Sequence, residues 1–334
     1  MAGPPNQRDV AKRAGVSVAS VSRYVNEKGT ISADVRARVE QAIRELGYSP
    51  NVVARSLKLQ KSDMIGVVFP DIENLFFISL IRTIEDLASQ DGYNVILCNT
   101  QNDPERERAS FRDLHGRQVS AFIVIPTLSN EPERYEWSRD AKVLFLDRLS
   151  GVRDEVCIKL DNRGAVLEAT AHLTALGHRR IGLVNVPRSI TPGEERYYGY
   201  LDGLRAAGIA VTGELIRESG FGIDDAYHAT KELLRVSPPP TAILAMSELT
   251  TVGVLRACRR QGLAVPDDIS VIGFDEFAQA DLLDPPLTTI EQPIDEYSEM
   301  AARALSKIIA GEYSGPRITS LRARLNLRKS CRMV

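Results

Sequence analysis

From Met64 onward the chain alternates near-continuous runs of Val, Ile and Leu with amphipathic segments, and this limits the fold more than any other feature. MIGVVFP (64–70), YNVILCNT (93–100), AFIVIP (121–126) and KVLFLD (142–147) read as strands, with helices over Leu75 to Gln90 and Pro104 to Arg117. The pattern restarts with VCIKLD (156–161), a helix to Leu176, RIGLVNV (180–186) and a helix from Glu194 to Ala207. LIRES (215–219), AILAM (242–246) and ISVIGFD (269–275) follow, with helices near 224–235 and 247–261. Strands that are apolar at successive positions are buried on both faces, the condition of a parallel sheet covered by helices. Two such sets exceed the usual size of one sheet, so two similar subdomains are expected. Ligands of such sheets lie outside the carboxyl ends of the strands, which makes the polar strand-end residues the ones to inspect.

The first sixty residues are different. Arg8 to Ala14 holds good helix formers, with Asn6 or Asp9 placed to cap it or to complement its dipole, and Gly15 supplies the tolerant φ of a helix end. Ser17 is a natural cap for a second helix from Val18 to Tyr24 or Val25. Val10, Ala11, Ala14, Val16, Val21 and Val25 can meet in a small apolar seam. Two short helices around a Gly-containing turn make a helix-turn-helix. In a third helix Ser32 is the cap, Val35, Val39, Ile43 and Leu46 share a face, and Gly47 ends it. Pro50 then pushes Ser49 out of the α region, Asn51 caps, and Val52 to Lys58 has length for two turns. So short a helix is marginal in water without a partner.

Charge divides the chain in the same place. Residues 1–60 carry ten Lys/Arg against five Asp/Glu, a net +5, whereas the whole chain is −2, which leaves −7 on residues 61–334. A basic head on an acidic body suits a phosphate binder joined to a separate domain.

DVAKRAGVSVASVSRYVN, continued by ISADVRARVEQAIRELGYSPNVVARSL, resembles the headpiece and hinge of the LacI/GalR family of bacterial transcription regulators. The resemblance implies that the second helix enters the major groove. Val18 and Ala19 would then face base edges, where apolar side chains pack on thymine methyls, and Arg23 would offer its fork to guanine. Ser17, Ser22 and Asn26 would donate to phosphates. Ser20 and Asn6 each stand where the family more usually has Thr, and both keep a polar group. The resemblance further implies that hinge helices pair across a dimer, capped by Asn51, with Ala54 allowing close approach and Leu57 wedging into the minor groove at the operator centre. The alternative for Leu57 is packing within a linker.

The rest of the chain resembles the same family more loosely, through its likeness to periplasmic sugar-binding proteins. The implied fold is α/β: an all-α helix-turn-helix headpiece and hinge helix joined to two Rossmann-like subdomains of a type I periplasmic-binding-protein fold. The expected divisions are a headpiece over 1–50, a hinge over 51–61 and an effector-binding and dimerisation domain over 62–334. Its subdomains would be 62–161 plus 293–320, and 162–292 plus 321–334, with the effector in the cleft between them. Phe76, Asp147, Arg196, Phe221, Ser247 and Asp275 match cleft positions. Carboxylates accept from hydroxyls, Arg donates a planar fork, and rings cover apolar faces, a set suited to a polyhydroxylated ligand. The alternatives are helix-capping turns for Asp147 and Asp275, ordinary core for Phe76 and Phe221, and an ion pair between Asp147 and Arg148. Glu248 stands where Asp is usual, which lengthens that carboxylate's reach, and PRSITPGEE (187–195) brings a Pro-Gly before the clamp helix.

Other chemistries find little support. Cys98, Cys157, Cys258 and Cys331 form no C-x-x-C, and His115, His172, His178 and His228 form no metal-ligand pattern, so neither metal nor cofactor is expected. No phosphate loop, nucleophile elbow or paired-carboxylate motif can be placed, which argues against a sugar hydrolase or kinase. No apolar leader and no run of 18 apolar residues is present, so a cytoplasmic protein is expected. The resemblance puts a dimer seam at helices 75–90 and 104–117. No heptad tail follows in RLNLRKSCRMV, which favours a dimer over a tetramer. The expectation is a DNA-binding regulator, a homodimer on a pseudo-palindromic operator, with a sugar or sugar derivative as effector and a nucleobase-type co-repressor as the alternative.

Overall fold

A computed structural model describes residues 5–25, 31–48, 62–277 and 279–334, grouped in two units, Met1–Ser62 and Asp63–Val334. In the first, α1 (Gln7–Ala14) opens on a reciprocal cap. The Asn6 side chain accepts from the Arg8 and Asp9 N–H groups, while the Asp9 carboxylate accepts from the Asn6 N–H at 2.9 Å. Gly15 closes the helix at φ 64°, a conformation that costs glycine nothing. The Ser17 hydroxyl accepts the Ser20 N–H at 3.1 Å and so caps α2 (Val18–Val25). Ser32 caps α3 (Ala33–Leu46), and Gly47 ends it at φ 59°. Val10, Ala11, Ala14, Val21, Val39, Ala42 and Tyr48 form the buried centre, with Val16, Val25, Val35, Ile43 and Leu46 packed around it. Asn26, Asn51, Ala54, Leu57 and the expected hinge helix lie outside the described residues.

The second unit contains two six-stranded sheets built alike. The first takes β1 (Met64–Phe69), β2 (Asn94–Asn99), β3 (Ala121–Val124), β4 (Val143–Leu146), β5 (Cys157–Leu160) and β11 (Ile318–Leu321), in the order β11-β5-β4-β3-β1-β2. The second takes β6 (Ile181–Asn185), β7 (Ile216–Glu218), β8 (Ala242–Ala245), β9 (Ser270–Phe274), β10 (Thr288–Glu291) and β12 (Arg324–Asn326), in the order β12-β10-β9-β8-β6-β7. Every pairing is parallel except β10 with β12. Strand for strand the orders match, as expected from the restarted pattern.

Helices cover the sheets. They are α4 (Leu75–Gln90), α5 (Pro104–Gly116), α6 (Asn162–Ala175), α7 (Thr191–Ala206), α8 (Ile223–Leu233), α9 (Glu248–Arg260) and α10 (Ile294–Ala310). Leu80, Ile81 and Ile84 of α4 and Tyr297, Ala301 and Leu305 of α10 join Ile65, Val67 and Phe69 of β1 in one core. α6 and α7 pack closely: a Cβ at Gly199 would lie 2.4 Å from the Arg163 carbonyl oxygen, and one at Gly203 2.5 Å from the Thr170 Cβ. The chain passes between the sheets after β5, after β10 and between β11 and β12.

Two details differ from the sequence reading. α7 begins at Thr191, not Glu194, because Pro192 occupies its first turn, where a missing N–H costs nothing. Strands β10, β11 and β12 escape the apolar-run criterion because TTIE, ITSL and RLN are short and polar. Thr288 and Thr289 are nonetheless fully buried, their polarity absorbed by hydrogen bonds to Arg328.

Candidate functional site

In the headpiece, α2 turns Val21 into the core and leaves Ser17, Val18, Ala19 and Arg23 exposed, with Ser22 half-buried. Val18 is 43% exposed although apolar, and its neighbours on that face are small or cationic. Such a face can meet thymine methyls and guanine acceptors. Asp34 pairs with Arg38 on α3 at 3.0 Å, and the Arg36 guanidinium lies 5.6 Å from the Tyr24 ring centre, but Arg23 has no ion pair among those described.

In the second unit the six expected residues, drawn from six strand ends or helix starts, line a single cavity of about 40 Å³ between the two sheets. Arg196 on α7 is 5% exposed. Its Nε donates to Asn162 Oδ1 at 2.8 Å, its Nη1 donates to the Met246 carbonyl at 2.6 Å, and its guanidinium lies 3.6 Å from the centre of the Phe274 ring. Asp275 follows β9 with φ 71°. Its Oδ1 accepts from Gln292 Nε2 at 2.6 Å, and its Oδ2 accepts the Glu248 N–H at 3.2 Å, at the positive end of α9. Asp147 follows β4 with φ 63°. Its N–H meets the Ile158 carbonyl at 2.9 Å and the Tyr297 hydroxyl at 2.7 Å, and that hydroxyl donates to the Ile158 carbonyl at 2.6 Å.

The other three residues have second duties. Ser247 caps α9, its Oγ accepting the Thr250 N–H at 3.1 Å. Phe76 is 5% exposed and packs edge-on to Tyr297, so core and cavity wall are both its role. Phe221 faces the Arg148 guanidinium at 5.5 Å.

Burial governs the electrostatics. It pushes both Asp147 and Asp275 above the ordinary carboxylate range, opposed for Asp147 by Arg148 and Arg196 and for Asp275 by Arg196, Gln292 and the Glu248 N–H. Glu248 is pushed up to about 7, by burial first and by Asp275 second, with the Leu75 N–H acting in the opposite sense. That contact joins the start of α9 to the start of α4, and so spans the two sheets. The longer reach of Glu at this position is used here.

Several cavity residues were missed by sequence reasoning. Asp71, Asn102 and Gln292 lie just past β1, β2 and β10, and Arg148 sits beside Asp147. The strand before Gln292 went unrecognised, whereas Asp71, Asn102 and Arg148 follow recognised strands and lie within the reach of the strand-end rule. Arg148 is 3% exposed, its Nη1 donating to the Pro126 and Thr127 carbonyls at 2.9 and 3.2 Å, its Nε 3.7 Å from Asp147 Oδ2. The expected ion pair is therefore present, and Arg148 also reaches the cavity. Among the described residues no cluster of His, Cys, Asp and Glu could hold a metal ion, and no helix is long and apolar enough to cross a membrane.

Residues 7–51 match the model of bacterial regulatory proteins of the lacI family, and residues 170–331 match that of a periplasmic binding protein-like domain. Among curated proteins the chain is 38% identical over 302 residues to a ribose operon repressor of Halalkalibacterium halodurans, covering 90% of this chain and 89% of that one. It is 32% identical over 336 residues to the HTH-type transcriptional repressor PurR of Mannheimia succiniciproducens, covering 98% of each. Among solved structures, a lac repressor dimer bound to operator and the anti-inducer ONPF superposes with TM-score 0.87 at 28% identity, over 99% of this chain and 100% of that one. A transcriptional regulator CelR–cellobiose complex superposes with TM-score 0.73 at 28% identity, over 98% and 99%.

Proposed function

Because the chain belongs to the lacI family of bacterial regulatory proteins, we propose that it is a transcriptional repressor that binds a pseudo-palindromic operator as a homodimer and responds to a small effector, a sugar or sugar derivative. The observation that carries this reading is the convergence of Phe76, Asp147, Arg196, Phe221, Ser247 and Asp275 on one inter-sheet cavity, in a chain whose α2 presents Val18, Ala19 and Arg23 outward. The headpiece over 1–50 reads the half-site, and residues 51–61, with Asn51, Ala54 and Leu57, form the hinge that couples it to the effector domain over 62–334. Each relative reported above is named a repressor or regulator, and the cavity is read as a sensor, not a catalytic centre. A nucleobase-type effector is the second reading, favoured by the two rings, Phe76 and Phe221, on the cavity wall.

Ligand pockets for drug-sized molecules run to roughly 300–1,000 Å³, far above the 40 Å³ enclosed here. Effector entry therefore requires the two sheets to part at their three crossings. Contacts that hold them together include the Leu149 N–H to Thr191 Oγ1 at 3.1 Å, the Thr191 N–H to Ser129 Oγ at 2.8 Å and Lys159 to Glu195 at 2.6 Å. An effector that favours one separation over another changes DNA affinity, and DNA must change effector affinity by the same factor.

The test is binding of the full chain to a panel of pseudo-palindromic operators at two salt concentrations, with and without sugars and nucleobases. Sequence-selective, salt-steep binding altered by one compound supports the reading. Salt-steep binding without sequence preference, unaltered by every compound, overturns it.

A further inference from the structure

We propose that the cavity admits an uncharged polyol and excludes its anionic counterparts, the phosphate ester and the carboxylic acid of the same sugar. This rests on the reading of the cavity as the effector site and narrows the chemistry of what enters it. The first ground is the state of the two arginines. Among the described residues, Arg148 and Arg196 are the cations on the cavity wall, against Asp71, Asp147 and Asp275. Arg196 has committed Nε and Nη1 to Asn162 and Met246 and feels the charges of Asp275, Asp147 and Glu195. Arg148 has committed Nη1 to two carbonyls and lies beside Asp147. No cationic surplus is left to balance a phosphate or carboxylate. Closing the sheets on one would bury a charge without a partner, which is strongly unfavourable.

The polar atoms that remain are those a hydroxyl group satisfies. Arg148 Nε and Gln292 Oε1 are buried without a hydrogen-bond partner among the described residues, and both side chains line the cavity. One is a donor and the other an acceptor, so a neutral hydroxyl, which is both, completes either. An anionic oxygen satisfies the first and opposes the second.

The approaches supply an independent ground. A groove of about 780 Å³ shares Asp71, Asn102 and Phe221 with the cavity and adds Glu73, Asp224 and Asp225. Its one arginine, Arg256, is already paired with Asp224 at 2.7 Å. On the other side a groove of about 560 Å³ shares Asp275 and Gln292 and adds Glu291, Asp295 and Glu296, with Arg82 as the cation on its wall; Glu276 there is paired with Arg328 at 2.7 Å, and Glu248 holds its proton up to about pH 7. Carboxylates thus line both grooves that meet the cavity, and a field of one sign lowers the local concentration of like-charged ligand.

The experiment is calorimetric titration of the full chain with neutral pentoses and hexoses, each beside its terminal phosphate ester and its sugar acid, and with hypoxanthine and guanine. The expected result is a neutral sugar that binds at least 100-fold more tightly than its own ester and acid. Glu73→Gln with Glu296→Gln, both exposed in the grooves and off the cavity wall, should narrow that gap at low ionic strength and leave the neutral sugar's affinity within about threefold. An ester or acid that binds as tightly as its parent overturns the inference and leaves the cavity as effector site. Binding by a purine alone also overturns it while sparing the site. No binding by any of them removes the sugar-or-nucleobase reading of the cavity, and this inference with it.

Discussion

Asp147 and Asp275 are counterparts on the two sheets. They follow β4 and β9, which hold the same place in the two strand orders, and their N–H groups donate to Ile158 and Ile290 on the neighbouring strands at 2.9 Å each. Both adopt left-handed backbone, at φ 63° and 71°. That conformation costs a non-glycine residue on the order of 1–3 kcal/mol, and here both residues line the cavity that Arg196 also lines. This pair of strand-end carboxylates, sharing one cavity with two buried cations, Arg196 and the Arg148 that lies 3.7 Å from Asp147, is the central geometric fact of the effector domain.

Arg196→Ala should abolish the response to effector and leave operator binding in its absence intact. It removes a charge felt by two buried carboxylates and strands the Met246 carbonyl. Leaving the buried Asn162 and Met246 acceptors without their donor costs on the order of 1–3 kcal/mol, so the thermal midpoint should fall as well. A DNA-binding titration with and without effector checks the first point, and a normal response would move the site elsewhere.

Tyr297→Phe tests the support beneath Asp147. The fully buried hydroxyl bridges the Asp147 N–H and the Ile158 carbonyl. Its loss should cost about 1–3 kcal/mol of stability and weaken effector binding several-fold. Urea unfolding and calorimetry measure the two effects, and unchanged effector affinity would confine Tyr297 to the core.

Arg23→Ala should reduce operator affinity by about 1–3 kcal/mol and relax selectivity at one base pair per half-site. The slope of affinity against salt should stay the same. A uniform loss across sequences, with the slope lowered by about one, would make Arg23 a phosphate contact instead.

Glu248 predicts a pH dependence. Its folded value of about 7 lies above the ordinary glutamate value of 4.5, so the folded state holds the proton more tightly. Its contribution to stability is therefore full below pH 4.5 and is lost as pH rises through 7. Glu248→Gln keeps an acceptor for the Leu75 N–H and removes the titration. Melting midpoints from pH 4 to 8 should show the parent falling relative to the variant across that window, and parallel curves would contradict the assignment.

Much of this was legible in the residues themselves. The caps at Asn6, Ser17 and Ser32, the stops at Gly15 and Gly47 and the helix Leu75–Gln90 stand where the sequence places them, because capping and apolar periodicity act over a few residues. The two-sheet plan was legible for the same reason: each buried strand announces itself by its own composition. Arg148, Asn102 and Gln292 were not assigned to the cavity, and the strand before Gln292 went unrecognised because its threonines are polar in sequence and are satisfied by residues distant in sequence, Arg328 some forty positions on and Glu276.

The sequence alone thus determined the helix-turn-helix, the parallel sheets and the family, all of which rest on short-range pattern. Tertiary structure alone decided which strand ends face each other. Only the packing of the two sheets could set Asp147 and Asp275 in one cavity with Arg196, span them with Glu248 and Leu75, and leave Arg148 Nε and Gln292 Oε1 buried together. Those juxtapositions join residues from about fifty to more than a hundred positions apart, and no local preference encodes them.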